Sequence, residues 1–304
     1  MRRAKFFSIF LLAFFAAGPV ARAQQHPAQS ATAPAPWNDN PLIAIQKQSG
    51  DPSRPGDVKI GFYGHDAFKI TSPSGITILA DPWRNDATST YPKWFLREFP
   101  AIPIDIVLST HAHFDHDAVE STNALMVLER MVGRYNLGDV AIWGLADKHQ
   151  CDPESDKKSD ASSQTCPPNN VPSFDNAIQI IQTGGLRIAI WGDNRGVPDA
   201  SLDRYLKNVD VLILPVQNVL GPAEADAIIR KYDPRAVIPS HYFISGLSTA
   251  TSGLERVDAW VTDQEKNQHA DVRRLDRADL TLNPAELKGA QHRIYYFADH
   301  YQEK

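Results

Sequence analysis

The segment Thr110-His111-Ala112-His113-Phe114-Asp115-His116-Asp117 places three imidazoles and a carboxylate within six residues, directly after an apolar run. Neutral imidazole nitrogens and carboxylate oxygens are ligands for divalent transition metals, whereas a lone buried histidine reads first as a hydrogen-bonded core group. Four such side chains in this order point to metal binding. Residues 104–108 read as a short buried β-strand, and Asp117, followed at helical spacing by Leu125, Leu128 and Val132, reads as the cap of a helix. The histidines then sit on a strand-to-helix loop. A turn there can aim His111 and His113 at one metal and Asp115 and His116 at a second beside it.

The arrangement H-x-H-x-D-H resembles the signature of the metallo-β-lactamase superfamily. That resemblance implies further ligands at the ends of later strands. His149 follows the apolar run 140–143, Asp193 follows 186–191 as part of a Gly-Asp pair, and His241 follows 236–239 as part of a Ser-His pair. Taken singly, a Gly-Asp pair is a common turn and a Ser-His pair a common loop end; their order and their placement after strands carry the match. The resemblance implies that His111, His113 and His149 hold one metal, that Asp115, His116 and His241 hold the other, and that Asp193 bridges them.

Upstream, Gly64-His65-Asp66-Ala67-Phe68 and the strand 76–80 ending in Asp81-Pro82-Trp83 look like the branch that contains ascorbate-6-phosphate lactonase and N-acylphosphatidylethanolamine phospholipase D. The likeness spans residues 57–300. One departure is Ile190, where relatives often carry a histidine two residues before the Gly-Asp pair. His65 reads either as a catalytic, substrate-facing group or as a core histidine tying two strands together. Asp81 reads as a carboxylate that hydrogen-bonds the metal loop, or as a cap on the turn at Pro82. Trp83, Tyr91, Trp94 and Phe95 can wall a pocket or form a satellite core.

The elements that must position these groups alternate. Residues 176–182 and 186–191 form a hairpin around Gly184-Gly185, with a short helix at 201–206, a strand at 211–216, a helix at 222–232, a strand at 236–238, a helix at 254–266 and a last strand at 292–297. This is mixed α+β. The resemblance implies the αββα four-layer sandwich, the metallo-β-lactamase fold.

Residues 1–23 have a basic start (Arg2, Arg3, Lys5), an apolar stretch and an Ala-Arg-Ala cleavage site, the composition of a signal peptide. The apolar run is shorter than the ~20 residues a membrane-spanning helix needs. No integral membrane segment is therefore expected in the mature chain, and the protein is expected to be periplasmic or secreted. Residues 24–56 read as a flexible Ala/Pro/Gln/Ser linker and 57–304 as the hydrolase domain. The two cysteines, Cys151 and Cys166, flank a polar insertion and are expected to form a disulfide in an oxidising compartment. A formal net charge of −5 with both signs interspersed offers no basic stripe, so a small-molecule substrate is expected and nucleic acid is not. Oligomeric state is left open.

Two divalent ions, Zn2+ from the imidazole-rich ligands with Mn2+ or Fe2+ as substitutes, lower the pKa of a bridging water to about 7. The implied activity is dinuclear hydrolysis of an ester, lactone or phosphodiester bond by the bridging hydroxide, held in line by Asp115 and Asp193. The alternatives are a metallo-β-lactamase acting on β-lactams and a non-catalytic periplasmic metal-binding protein.

Overall fold

Short runs rich in Ile, Val, Leu and Phe, interrupted by Gly, Asp and Pro, are too brief for helices and pair instead into two mixed sheets. The computed structural model describes residues 50–89, 91–150 and 175–303, all within one compact unit, Asp39–Lys304. The first half contributes β1 (Val58–Phe62), β2 (Phe68–Thr71), β3 (Thr77–Ala80), β4 (Ile106–Ser109), β5 (Met126–Glu129), β6 (Gly133–Leu137) and β7 (Val140–Asp147). Then come β8 (Asn176–Thr183), β9 (Leu186–Ile190), α1 (Asp203–Leu206), β10 (Val211–Pro215), α2 (Pro222–Tyr232), β11 (Ala236–Ser240), α3 (Asp258–Lys266), β12 (Asp271–Arg274), β13 (Asp279–Leu282) and β14 (Arg293–Tyr296).

The strand order is β13-β1-β2-β3-β4-β5 in one sheet and β12-β14-β11-β10-β9-β8-β7-β6 in the other. β3, β4 and β5 are mutually parallel, as are β9, β10 and β11. Chain segments leaving β3 and β4, or β9 and β11, therefore emerge at the same end of their sheet. β10 and β11 are buried at every position, as parallel strands covered on both faces must be. Each of their fully buried Val, Leu or Ile side chains contributes about 1.5–3 kcal/mol. The core joins both sheets: the Phe62 ring at the end of β1 lies 6.0 Å from Tyr242 and 5.1 Å from Phe297, which follow β11 and β14.

The β8–β9 hairpin forms where expected, with Thr183 opposite Leu186 and both intervening glycines at positive φ. The described chain before β1 already docks on this hairpin, through Gly56 N–H to the Gly184 carbonyl and Gly185 N–H to the Pro52 carbonyl. α2 spans the expected residues with Pro222 at its first turn. α3 starts later than expected, at Asp258, and β11 runs on to Ser240.

The helix expected after Asp117 does not form. A 3-10 turn at Val119–Ser121 is followed by β5, an edge strand paired parallel with β4. Met126 and Leu128 turn inward while Val127 and Glu129 face out, and Leu125 and Val132 are exposed. Pairing with β4 satisfies the backbone here. Asp117 caps nothing; its carboxylate accepts from Arg130 Nη1 at 2.8 Å. Among the described residues no helix is long and apolar enough to cross a membrane. Residues 1–49 and both cysteines lie outside the described residues.

Candidate metal centre

Every expected site residue sits at or just beyond a strand end: His65 between β1 and β2, His111 to His116 after β4, His149 after β7, Asp193 after β9 and His241 after β11. The structure brings them together in two adjoining groups, His111, His113, His149 and Asp193, and His65, Asp115, His116 and His241. The approach of the Asp193 loop to the histidine loop requires Gly192. A Cβ there would lie 2.6 Å from Thr110 Cβ, and its φ is +55°.

Asp193 stands between the groups with its two oxygens divided. Oδ2 lies 3.5 Å from His111 Nε2 and 3.4 Å from His149 Nε2, while Oδ1 lies 3.3 Å from His116 Nε2 and 3.6 Å from His241 Nε2. Asp115 Oδ2 is 3.5 Å from both His116 Nε2 and His241 Nε2. Donors held about 2.0–2.1 Å from a tetrahedral ion are about 3.3–3.4 Å apart along each edge, so these separations suit a shared ion. His111 Nε2, His116 Nε2, His241 Nε2 and Asp193 Oδ1 are buried and make no hydrogen bond. Buried polar atoms are normally paired, and a cluster of unpaired nitrogens facing carboxylates fits metal binding.

The surrounding groups fix which imidazole nitrogen points inward. His116 Nδ1 lies 2.9 Å from Asp81 Oδ2, and Asp81 also accepts from Thr110 N–H at 2.8 Å and Thr110 Oγ1 at 2.7 Å. Asp81 thus contacts the metal loop, as one of its two expected readings had it. His149 Nδ1 is 2.6 Å from the Gln150 carbonyl. His65 is 1 % exposed, with Nε2 2.9 Å from Asp115 Oδ2 and its carbonyl accepting the His241 N–H at 2.9 Å. It contacts Asp115 rather than the cavity. His65 and His241 both hold left-handed backbone, φ 59° and 60°, which non-glycine residues adopt at a cost of about 1–2 kcal/mol. Their mutual hydrogen bond locks that conformation.

Burial lowers the pKa of His116 well below its usual value and drives that of His111 down to about 3, leaving ligand-competent neutral rings. Burial also lowers His113. It would raise the Asp193 and Asp115 carboxyls, but the neighbouring imidazoles, His116 foremost, outweigh it and hold both well below the carboxylate range. For His241 burial is again outweighed, here by Asp193 and Asp115, and the ring is pushed up to about 9.

Asp66 was given no role from the sequence beyond its place in the Gly64–Phe68 segment. It is fully buried, 3.7 Å from His116 Nδ1, and burial pushes its carboxyl up to about 7. Its signal was an acidic residue next to His65 and directly before the apolar run that opens with Ala67 and Phe68. A cavity of about 620 Å³ opens over the cluster, lined by His113, Asp115, His149, Asp193 and His241 and walled by Tyr91, Trp94 and Phe114. The aromatic segment divides: Tyr91 and Trp94 line the cavity, whereas Trp83 and Phe95 are buried and stacked 4.2 Å apart. Phe114, Gln150, Asn218 and Glu224 were not expected at the cavity.

A sequence profile described as a beta-lactamase superfamily domain matches residues 59–241. A UPF0173 metal-dependent hydrolase of Myxococcus xanthus is 26% identical over 264 residues, 79% of this chain and 86% of that protein. Another, of Thermodesulfovibrio yellowstonii, is 36% identical over 87 residues, 29% of this chain and 32% of that protein. Among solved structures, a metallo-beta-lactamase superfamily protein of Thermotoga maritima is similar with a TM-score of 0.55 at 21% identity, covering 79% of this chain and 97% of that one, and Igni18, a metallo hydrolase of Ignicoccus hospitalis, with 0.50 at 20%, covering 75% and 99%. The profile match spans more than half of the sequence, and with two mixed sheets of the matching fold and a His/Asp cluster at their strand ends, the chain belongs to the metallo-β-lactamase superfamily.

Proposed function

We propose that the protein is a metal-dependent hydrolase working with two divalent ions, zinc in the first instance, on an ester, lactone or phosphodiester bond of a small molecule. The observation that carries the reading is the division of Asp193, one oxygen facing His111 and His149 and the other facing His116 and His241. His111, His113 and His149 would hold one ion, Asp115, His116 and His241 the other, with Asp193 shared. Bound there, such a pair polarises the scissile bond and supplies hydroxide near neutral pH.

The chain's own groups do the positioning. Asp115 and Asp193, fully ionised and lining the cavity, orient the attacking oxygen and accept its hydrogen bonds. His65 is a positioning residue that holds Asp115 through its 2.9 Å contact. Ser240 beside His241 is fully buried and out of reach of a substrate, which supports water as the nucleophile. The basic and apolar composition of residues 1–23 supports action in the periplasm or outside the cell.

The test is a hydrolysis screen of metal-loaded protein over lactones, acyl esters, phosphodiesters and β-lactams, repeated after chelation and after metal return. Turnover that vanishes with the metal, returns with it and is absent in His116→Ala is expected. Turnover that survives complete metal removal would overturn the reading.

A further inference from the structure

The metal cluster accounts for only part of the cavity, and the rest has a definite chemical character. On one side Trp94 and Phe114 meet edge to face at 5.2 Å, with Tyr91 5.8 Å from Phe114. This wall is pinned. Trp94 N–H donates to Asn85 Oδ1 at 2.9 Å, its carbonyl accepts from Thr249 N–H at 2.9 Å, and its ring edge packs 6.0 Å from His65.

The polar side chains that complete the lining beyond the metal cluster hydrogen-bond within the protein. Asn218 donates to the Gly253 carbonyl and accepts from Glu255 N–H. Ser252 Oγ donates to the Thr249 carbonyl. Gln150 accepts from Gly196 N–H and donates towards Glu224 Oε1. Glu224 Oε2 accepts Gly221 N–H at 3.1 Å, which fixes a carboxylate at the cavity's edge at the start of α2. Among the described residues of the lining, a phosphate or carboxylate on the distal part of a substrate would meet a carboxylate and an aromatic wall and no lysine or arginine, and would give up hydration there without a cationic partner.

We infer that the substrate's non-reacting part is an uncharged, apolar acyl or aryl group lying against Tyr91, Trp94 and Phe114, so that the enzyme acts on hydrophobic esters or lactones and discriminates against substrates with an anionic tail. The inference rests on the hydrolase reading above. Flat aromatic surfaces gain from stacking as well as from burial, and each buried methylene strengthens binding by several-fold.

Hydroxamic acids test it without turnover, because the hydroxamate head takes the metal and the tail reports on the cavity. Calorimetry on zinc-loaded protein would compare acetohydroxamate, 4-phenylbutyrohydroxamate and glutaric acid monohydroxamate, whose free carboxylate replaces the phenyl ring on the same three-methylene chain. The phenyl tail should bind at least about tenfold tighter than acetyl, several methylenes' worth, and the carboxylate tail weaker than either. In Trp94→Ala the phenyl-to-acetyl ratio should collapse towards one, and Trp94→Phe should restore most of it. Glu224→Gln should narrow the penalty on the carboxylate tail. Equal affinities for the three tails, or a phenyl preference untouched by Trp94→Ala, would overturn the inference while leaving the metal reading in place. Failure of even acetohydroxamate to bind in a metal-dependent way would overturn the hydrolase reading, and the inference with it.

Discussion

Asp81→Asn separates the two halves of the metal centre. Asp81 is fully buried and accepts three hydrogen bonds, two from Thr110 and one from His116 Nδ1 at 2.9 Å. Asparagine has nearly the same shape and tolerates the left-handed backbone at this position, φ 46°, so the substitution changes chemistry and not conformation. It leaves one acceptor oxygen for three donors, and its NH2 group must face at least one of them. Burial, with Asp66 beside it, raises the Asp81 carboxyl well above its ordinary value, but the donors that converge on its two oxygens favour the carboxylate; in the variant His116 loses that acceptor, which keeps its proton on Nδ1 and its lone pair on Nε2, facing Asp193 and Asp115. Losing a hydrogen bond to a charged group costs about 1.5–3 kcal/mol, which at about 1.4 kcal/mol per decade is roughly a 10- to 150-fold weaker hold on the ion at His116. The ion at His111, His113 and His149 should weaken much less, because Asp81 reaches His111 only through Thr110 Oγ1, 3.1 Å from His111 Nδ1. Chelator titration followed by elemental analysis reads both affinities. Unchanged affinity at both sites, or equal loss at both, would refute this division of labour.

Gly192→Ala should lower stability by about 2–4 kcal/mol, combining left-handed backbone strain with a Cβ pressed on Thr110, as read by thermal melting; a loss under 1 kcal/mol would show that the two loops can part. Without metal, His241 is held near 9 and His149 is also raised, by Asp193 against burial, so at pH 7 an incoming ion must displace a proton from His241. Metal affinity should therefore rise with pH up to about 9, and calorimetry in buffers of different ionisation enthalpy should count about one proton released at pH 7 for the ion bound at His241; a count of zero contradicts it. If the chain is recovered from an oxidising compartment, mass spectrometry without reductant should find Cys151 joined to Cys166, whereas two freely alkylated thiols would count against the pairing.

Much of this was legible because buried parallel strands such as β10 and β11 are near-continuous apolar runs, and because ligands at strand ends recur in a fixed order. α2 declared its start through Pro222, and the structure ends it at the left-handed Asp233 after Tyr232. The segment after Asp117 did not. Leu125, Leu128 and Val132 fit a helical face, but Met126 and Leu128 fit an alternating strand equally well, and the open edge of β4 decides between them. No sequence spacing records such an edge. The same limit hid the cavity wall. Glu224 is only a residue of the helix at 222–232 until tertiary structure carries α2 to within reach of Gln150, and the place of His65 behind Asp115 depends on the segments after β1 and β11 meeting through the His241 N–H to His65 carbonyl bond.

The central claim is that Asp193 joins two ions. A crystal structure of the zinc-loaded protein with data at the zinc absorption edge tests it most directly. Two anomalous peaks about 3.5–4 Å apart are expected, one bounded by His111, His113 and His149, the other by Asp115, His116 and His241, each touching a different oxygen of Asp193. A single peak at saturating zinc, or two peaks with Asp193 bound to only one of them, would contradict it.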